Sequence, residues 1–301
     1  MPLADVAVIV SAAPDLLITA GALRRMAELQ VLLLICNEKF EPCALTLPYH
    51  RATNTEVLRR QLEWTSEWKC AIWRQIITAK VRNQAANLVH LRRAHSVLME
   101  IAGRCAEGGR DHRETKAATR QSAPSLASIT PSRRAGLHAD TPEACESRAA
   151  RYYWKHLLPR LSARQQTQET TRNPGTRAGV NGMLDYGYAI LRTAVLRSLA
   201  AHGFIAAIGI AHAPKAGSFA LADDLVEPLR PFVDRELRLF LQCGPRPMED
   251  WIRHVVKVLT LEVSHGRAKV RLLGYIDLYV RSFAAAALAR ANLPLKIPIL
   301  T

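Results

Sequence analysis

Side chains able to hold a divalent cation lie in three separated segments of this chain. Glu146 stands in E-S-R-A-A-R-Y-Y-W at 146–154. On a helix, Ala149, Ala150 and Tyr153 follow along the same side, leaving room beside the carboxylate for a phosphate. A glutamate near a helix start also serves simply to offset the dipole. His212 lies in G-I-A-H-A-P-K-A-G-S at 209–218, flanked by small residues and followed by Lys215; a polar surface histidine is the plain alternative. Asp224 and Glu227 are three apart and share a helix face, where two carboxylates repel. Solvent relieves that repulsion on an exposed face, and a cation relieves it in a site. Asp223 beside Asp224 leaves open which aspartate points inward.

A Glu, His and Glu/Asp set offers oxygen and imidazole donors to Mg²⁺ or Mn²⁺, with imidazole better tolerated by manganese. Such a site suits phosphoryl transfer, because a bound ion polarises the scissile phosphate and stabilises the leaving oxygen without any covalent contribution from the protein.

The elements that must position these residues are mostly helical. Residues 5–46 read as strand, helix, strand, strand: VAVIV, ITAGALRRMAELQ, VLLLIC and CALTLP. From about residue 53 the apolar spacing is helical, through Leu58, Leu62, Trp68, Ile72, Ile76 and Val81. It lapses at 104–143, which fills with Arg, Glu, Thr, Ser, Gly and Pro and reads as a flexible insertion, either a solvated linker or a further basic contact for DNA. Helical spacing resumes at 143–158 and 183–202, with Gly203 a C-cap, and 159–180 reads as a loop. A helix capped by Ser218 and bent by Pro228 and Pro231 follows, then two more at about 249–264 and 273–291. The fold class expected is mostly α: an all-helical catalytic domain at 53–301, preceded at 1–52 by a small, partial N-terminal α/β, β-rich domain.

Composition narrows the function. Lys and Arg number 41 against 26 Asp and Glu, a net charge of +15, the electrostatic footprint of a nucleic-acid binder and also of a merely basic surface. Residues 147–180 carry seven Lys or Arg against one acid. Arg148, Arg151, Lys155 and Arg160 are candidate phosphate contacts, or alternatively solubilising surface, and Lys215 is a further candidate. Cys36, Cys43, Cys70, Cys105, Cys145 and Cys243 form no C-x-x-C pair, so no zinc knuckle or redox motif is legible. No unbroken apolar run reaches the roughly 18 residues of a membrane span, and the N-terminus lacks a secretory pattern. A soluble, cytoplasmic protein is expected.

Three ordered motifs carry a resemblance. E-x-x-A-A-R-x-Y-W at 146–154, N-x-x-L-x-Y-G-Y-A-I-L-R at 181–192, and His212 followed by S-F-x-L-A-x-D-L-x-E-P-x-R-P-x-V-D through 234 resemble the type II branch of the CRISPR spacer-acquisition integrase, the catalytic subunit of the CRISPR adaptation complex. K-x-R-N-Q-A at 80–85 and PLADV at 2–6 extend the match over most of the chain. The resemblance implies a metal-dependent DNA endonuclease and integrase with Glu146, His212 and Glu227 as catalytic metal ligands and Asp224 as an adjacent contributor. It implies a homodimer joined by a small ferredoxin-like subunit, inserting short duplexes into a CRISPR array by 3′-hydroxyl attack. Members of this family begin with several strands used in dimerisation and partner contact, and roughly the first half of that module is expected to be absent here. A catalytically inactive DNA-binding scaffold of the same fold is the alternative. An unrelated helical regulator would show a helix-turn-helix or stacking aromatics, and neither is legible.

Overall fold

Two apolar clusters organise the chain, in a computed structural model that describes residues 2–6, 8–11, 13–29, 31–36, 42–46, 55–118, 140–176, 178–212 and 219–300. The smaller belongs to the N-terminal module of β1 (Val8–Ser11), α1 (Ala20–Glu28), β2 (Leu32–Cys36) and β3 (Pro42–Thr46). Thr19 starts α1 by accepting the Ala22 N–H at 3.2 Å. The helix returns the chain so that β2 pairs parallel to β1, with Val8 opposite Leu32, and β3 pairs antiparallel to β2, with Leu33 opposite Thr46. Met26, Val31 and Leu33 form the core of this module.

The larger cluster is the helical body: α2 (Thr55–Leu62), α3 (Ser66–Asn87), α4 (Arg92–Ala118), α5 (Pro142–Gln165), α6 (Gly179–Ala201), α7 (Ala220–Val226), α8 (Arg230–Phe240), α9 (Met248–Val255) and α10 (Leu272–Ala289). Threonines begin two of the helices that carry the site. Thr65 accepts from Trp68 N at 3.2 Å ahead of α3. Thr141 accepts from Ala144 N at 3.3 Å ahead of α5, where Pro142 takes the first helical position and loses no bond. Gly203, at φ 79°, ends α6 in the left-handed region as its position predicts. Helix α3 runs through the middle of the body: Ile72, Ile76, Ile77 and Val81 are fully buried, and α4, α5 and α8 pack around it. At Gly187 on α6 a Cβ would run into Val233 of α8, so glycine sets how closely these helices approach.

The mostly helical class and the small β-rich start are as expected, and four details differ. Helix α4 continues to Ala118, into the segment whose composition hides any period; 119–139 lies outside the described residues. Pro159 falls inside α5, which continues to Gln165. Pro159 and Lys155, whose carbonyl loses its i+4 donor, are both exposed, so water can satisfy that oxygen. The chain from 166 to 176 is tied down locally: Glu169 accepts from Val180 N at 2.7 Å and Asn181 N at 2.9 Å, and Gly175 N donates to Asp185 at 2.8 Å. The body is also not purely helical. A hairpin of β4 (Glu262–His265) and β5 (Ala268–Arg271) occupies the end of the segment read as a helix at 249–264 and the gap after it. Its turn contains Gly266 at φ 61°, and its alternation is too short to register as a strand pattern.

Helix α10 meets the length and composition criteria of a membrane span, although its sequence has no 18-residue unbroken apolar run. Half of it is buried, with Ile276, Tyr279, Val280 and Phe283 fully inside the body, which makes it a core helix.

Candidate metal centre

Pro228 decides where Glu227 points. Without an N–H, Pro228 cannot continue the α-helical ladder to Asp224, and the chain tightens into a 3-10 turn over Glu227–Leu229 before resuming as α8. The bend turns Glu227 into the body, where its side chain is 3% exposed. Asn83 on α3 secures the bend, its Nδ2 donating to the Pro228 carbonyl at 2.7 Å and to the Pro298 carbonyl at 3.0 Å.

Glu227 meets two cations there. Arg230 lies 3.0 Å from Oε1, and Lys80 of α3 lies 2.5 Å from Oε2. The same Lys80 ammonium donates to Glu146 Oε1 at 2.6 Å, so α5 and the 227–229 turn converge on one positive charge. Burial alone would raise the Glu227 pKa, but Arg230 and Lys80 outweigh it and hold the carboxyl below its usual range. Burial opposes the charge on Lys80, and Glu227 and Glu146 together more than restore it, raising its pKa. Arg230 is fixed from behind, its guanidinium 5.1 Å from the Tyr188 ring centroid.

Asp224 and Glu227 sit on one stretch of chain but serve different neighbours. Asp224 is fully buried, and its two oxygens are taken up by the connector: Oδ2 accepts from Ile210 N at 2.5 Å and Ala211 N at 3.1 Å, and Oδ1 accepts from His212 N at 3.2 Å. His212 Nδ1 lies 2.6 Å from Oδ1. That bond raises the histidine pKa despite the opposing effect of burial. Asp224 thereby orients His212, whose ring also meets Trp73 edge-on at 6.1 Å. Gly209 lets the connector close this tightly, since a Cβ there would sit 2.7 Å from Asp224 Oδ2 and 2.9 Å from Ala220 Cβ. Asp223 points elsewhere and pairs with Arg192 at 3.2 Å, so Asp224 is the inward aspartate.

A second buried network backs this one. Asp234 of α8 accepts from Tyr153 at 2.7 Å and Tyr188 at 2.5 Å, and Asn87 Nδ2 donates to Tyr153 at 2.9 Å and to the Pro231 carbonyl at 2.8 Å. Burial pushes the Asp234 carboxyl up to about 6, with the two hydroxyls pulling against it.

The structure thus brings Glu146 and Glu227 to one ammonium and binds His212 to Asp224. The basic candidates separate from them. At about 100° per residue, Arg148, Arg151 and Lys155 share a face of α5 roughly half a turn from Glu146. Arg148 is half-buried and pairs with Asp140 at 3.1 Å, whereas Arg151 and Lys155 are exposed. Arg160 is exposed and its guanidinium donates to the His156 carbonyl. Lys215 and Ser218 lie outside the described residues. Lys80 and Arg230 escaped the sequence reading as site residues. The available signal was the spacing of Lys80, Asn83 and Asn87, a polar stripe that lies buried among the apolar residues of α3.

The donor set suits a hard or borderline divalent ion: two carboxylates, one of them buried, and an imidazole already oriented by an aspartate. Glu227 Oε2 is buried with no hydrogen-bond partner, the Lys80 ammonium at 2.5 Å being its ion-pair contact. Among the described residues no three His, Cys, Asp or Glu side chains cluster closely enough to hold an ion as they stand. The ammonium stands between the two glutamates. The residues fit the ion by charge and chemistry.

The same order, a small β-rich module ahead of a helical body, recurs in solved structures on which the chain superimposes. The chain superimposes on a casposase bound to its integration product with a TM-score of 0.73 at 17% identity, covering 97% of this chain and 81% of that one. It superimposes on a Cas1 protein of Thermotoga maritima with a TM-score of 0.67 at 14% identity, covering 96% and 88%, and on a Cas6-RT-Cas1–Cas2 complex at 0.63 and 17% identity, covering 96% of this chain and 32% of that one. The family model described as CRISPR associated protein Cas1 matches residues 1–246. The CRISPR-associated endonuclease Cas1 of Neisseria meningitidis serogroup C is 32% identical over 99% of this chain and 86% of its own length. The chain belongs to the Cas1 family, as the motifs at 146–154, 181–192 and 212–234 led us to expect.

Proposed function

We propose that this protein is a divalent-metal-dependent DNA endonuclease and integrase that inserts short duplexes as new spacers into a CRISPR array, a 3′-hydroxyl of the incoming duplex attacking a phosphodiester of the repeat. The observation that carries this is the convergence of Glu146 and Glu227 on one ammonium, at 2.6 and 2.5 Å, in a chain whose family relatives are named endonucleases. Glu146, Glu227 and Nε2 of His212 would hold Mg²⁺ or Mn²⁺. When bound, the ion polarises the scissile phosphate and stabilises charge on the leaving oxygen. The remaining work falls to the chain. Asp224, by holding Nδ1, leaves Nε2 as the nitrogen that can donate a lone pair. Arg230 and the bend at Pro228 keep Glu227 ionised and aimed. Arg151 and Lys155, exposed on α5, supply positive charge for DNA phosphates away from the centre itself.

The casposase neighbour was solved with an integration product and another neighbour is a complex containing Cas2, which supports DNA and a small partner subunit as what this protein works with; a homodimer, a ferredoxin-like fold for that subunit and a cytoplasmic setting belong to the same proposal. Strand transfer tests the proposal: the protein with its small partner, a short duplex with free 3′-hydroxyls and a supercoiled plasmid carrying a repeat, with Mg²⁺ or Mn²⁺. Integration should disappear in Glu146→Ala, His212→Ala and Glu227→Ala. DNA binding without metal-dependent transfer, with the variants matching the parent, would replace it with the inactive-scaffold reading.

A further inference from the structure

The position between Glu146 and Glu227 is held by a side chain of the protein itself. Lys80 Nζ lies 2.6 Å from Glu146 and 2.5 Å from Glu227, and its side chain is 10% exposed. Two carboxylates from separate elements facing each other in a buried place repel unless a cation lies between them. One ammonium supplies a single charge where a divalent ion would supply two. We propose that Lys80 is a resident counter-cation: it holds the two glutamates together in the metal-free protein and withdraws when the divalent ion enters. This rests on the metal-dependent reading above and adds that metal affinity is set by exchange against an internal charge.

The two neighbouring cations are built differently, and the difference assigns the roles. Arg230 is planar, is held over the Tyr188 ring at 5.1 Å and contacts the other oxygen of Glu227, at 3.0 Å. It can stay in place while Oε2 changes partner. Lys80 is a point charge on a flexible four-carbon stem, and its ammonium contacts both glutamates and can swing without moving α3. Glu146, at 26% side-chain exposure, marks the open side of the pair. Apart from the Lys80 ammonium at 2.5 Å, Glu227 Oε2 makes no hydrogen bond that would have to break in the exchange.

Calorimetric titration of the full chain with Mn²⁺ alone, without DNA, tests this in the parent, Lys80→Met, Lys80→Arg and Glu227→Gln. An opposite charge within about 4–6 Å shifts a carboxylate's proton equilibrium by about one to three powers of ten, and on that scale Lys80→Met, which frees both glutamates of their internal cation, should bind Mn²⁺ at least about tenfold more tightly than the parent. Lys80→Arg should bind more weakly, and Glu227→Gln should remove the binding. A permanent structural pair would instead leave Lys80→Met with unchanged or weaker Mn²⁺ binding, and that result overturns the proposal while Glu227-dependent binding in the parent upholds the metal reading. A parent without Glu227-dependent binding refutes both. If Lys80→Met does not fold, the parent decides the matter through amine acetylation read by mass spectrometry. Lys80 should become several-fold more reactive with saturating Mn²⁺, and unchanged reactivity under conditions of proven Mn²⁺ binding overturns the exchange.

Discussion

Asp224→Asn is the substitution that separates holding a histidine from ligating an ion. In the parent each Asp224 oxygen accepts two donors: Oδ2 takes the Ile210 and Ala211 amides, at 2.5 and 3.1 Å, and Oδ1 takes the His212 amide and Nδ1, at 3.2 and 2.6 Å. Asparagine offers one oxygen, and either orientation turns its NH₂ toward two groups that donate to the carboxylate in the parent. Two charge-assisted bonds are therefore lost at a fully buried position. At about 1.5–3 kcal/mol each, the loss is at least about 3 kcal/mol. That is a large share of a stability on the order of 5–15 kcal/mol. At roughly 2–4 °C per kcal/mol, a thermal melt should fall by about 6–12 °C. Loss of the partner that orients a ligating histidine should also weaken Mn²⁺ binding by about 10–100-fold. Differential scanning calorimetry reads the first effect and Mn²⁺ titration the second. A variant melting within about 1 °C of the parent would show that the carboxylate does not hold the 210–212 connector. A normal melt loss with unchanged Mn²⁺ affinity would show that His212 is not a ligand.

Three further outcomes follow from the same contacts. Gly209→Ala places a methyl 2.7 Å from Asp224 Oδ2 and 2.9 Å from the His212 carbonyl, and should cost about 1–3 kcal/mol in urea unfolding with reduced Mn²⁺ affinity; a neutral result would mean the connector has room to spare. Asp234, raised from 3.8 to about 6, binds its proton more tightly folded than unfolded, so its contribution is fully present below about pH 3.8 and is lost as pH rises to about 6. Urea midpoints in Tyr188→Phe, which removes one hydroxyl from the carboxylate, should show a steeper loss across that window than the parent. His212, raised above 6.5 chiefly by Asp224, contributes stability that is present below pH 6.5 and lost as pH rises through its folded pKa. Mn²⁺ uptake requires the neutral ring, so its midpoint should lie above pH 6.5 in the parent and lower in Asp224→Asn; equal midpoints would argue against the pairing.

The sequence by itself determined the residue types and the elements that carry them. Period and caps place Glu146 near the start of a helix, and Pro228 and Pro231 mark the bend that follows Asp224. The ordered motifs identify the family without any knowledge of contacts. Local pattern also explains the failures: Pro159 reads as a stop although its exposed position tolerates it inside α5, the composition of 104–118 hides any helical period, and the four-residue strands of the β4–β5 hairpin are too short to register as alternation. What each acid does was decided only by the tertiary structure. Asp224 and Glu227 look equivalent as a pair three apart, yet one faces the amides of 210–212 and the other faces α3. Lys80 lies 66 residues from Glu146 along the chain, and no period or motif carries the information that its ammonium ends between two glutamates. Burial makes that meeting matter, because charges that water would screen on an open helix face must find partners inside the body.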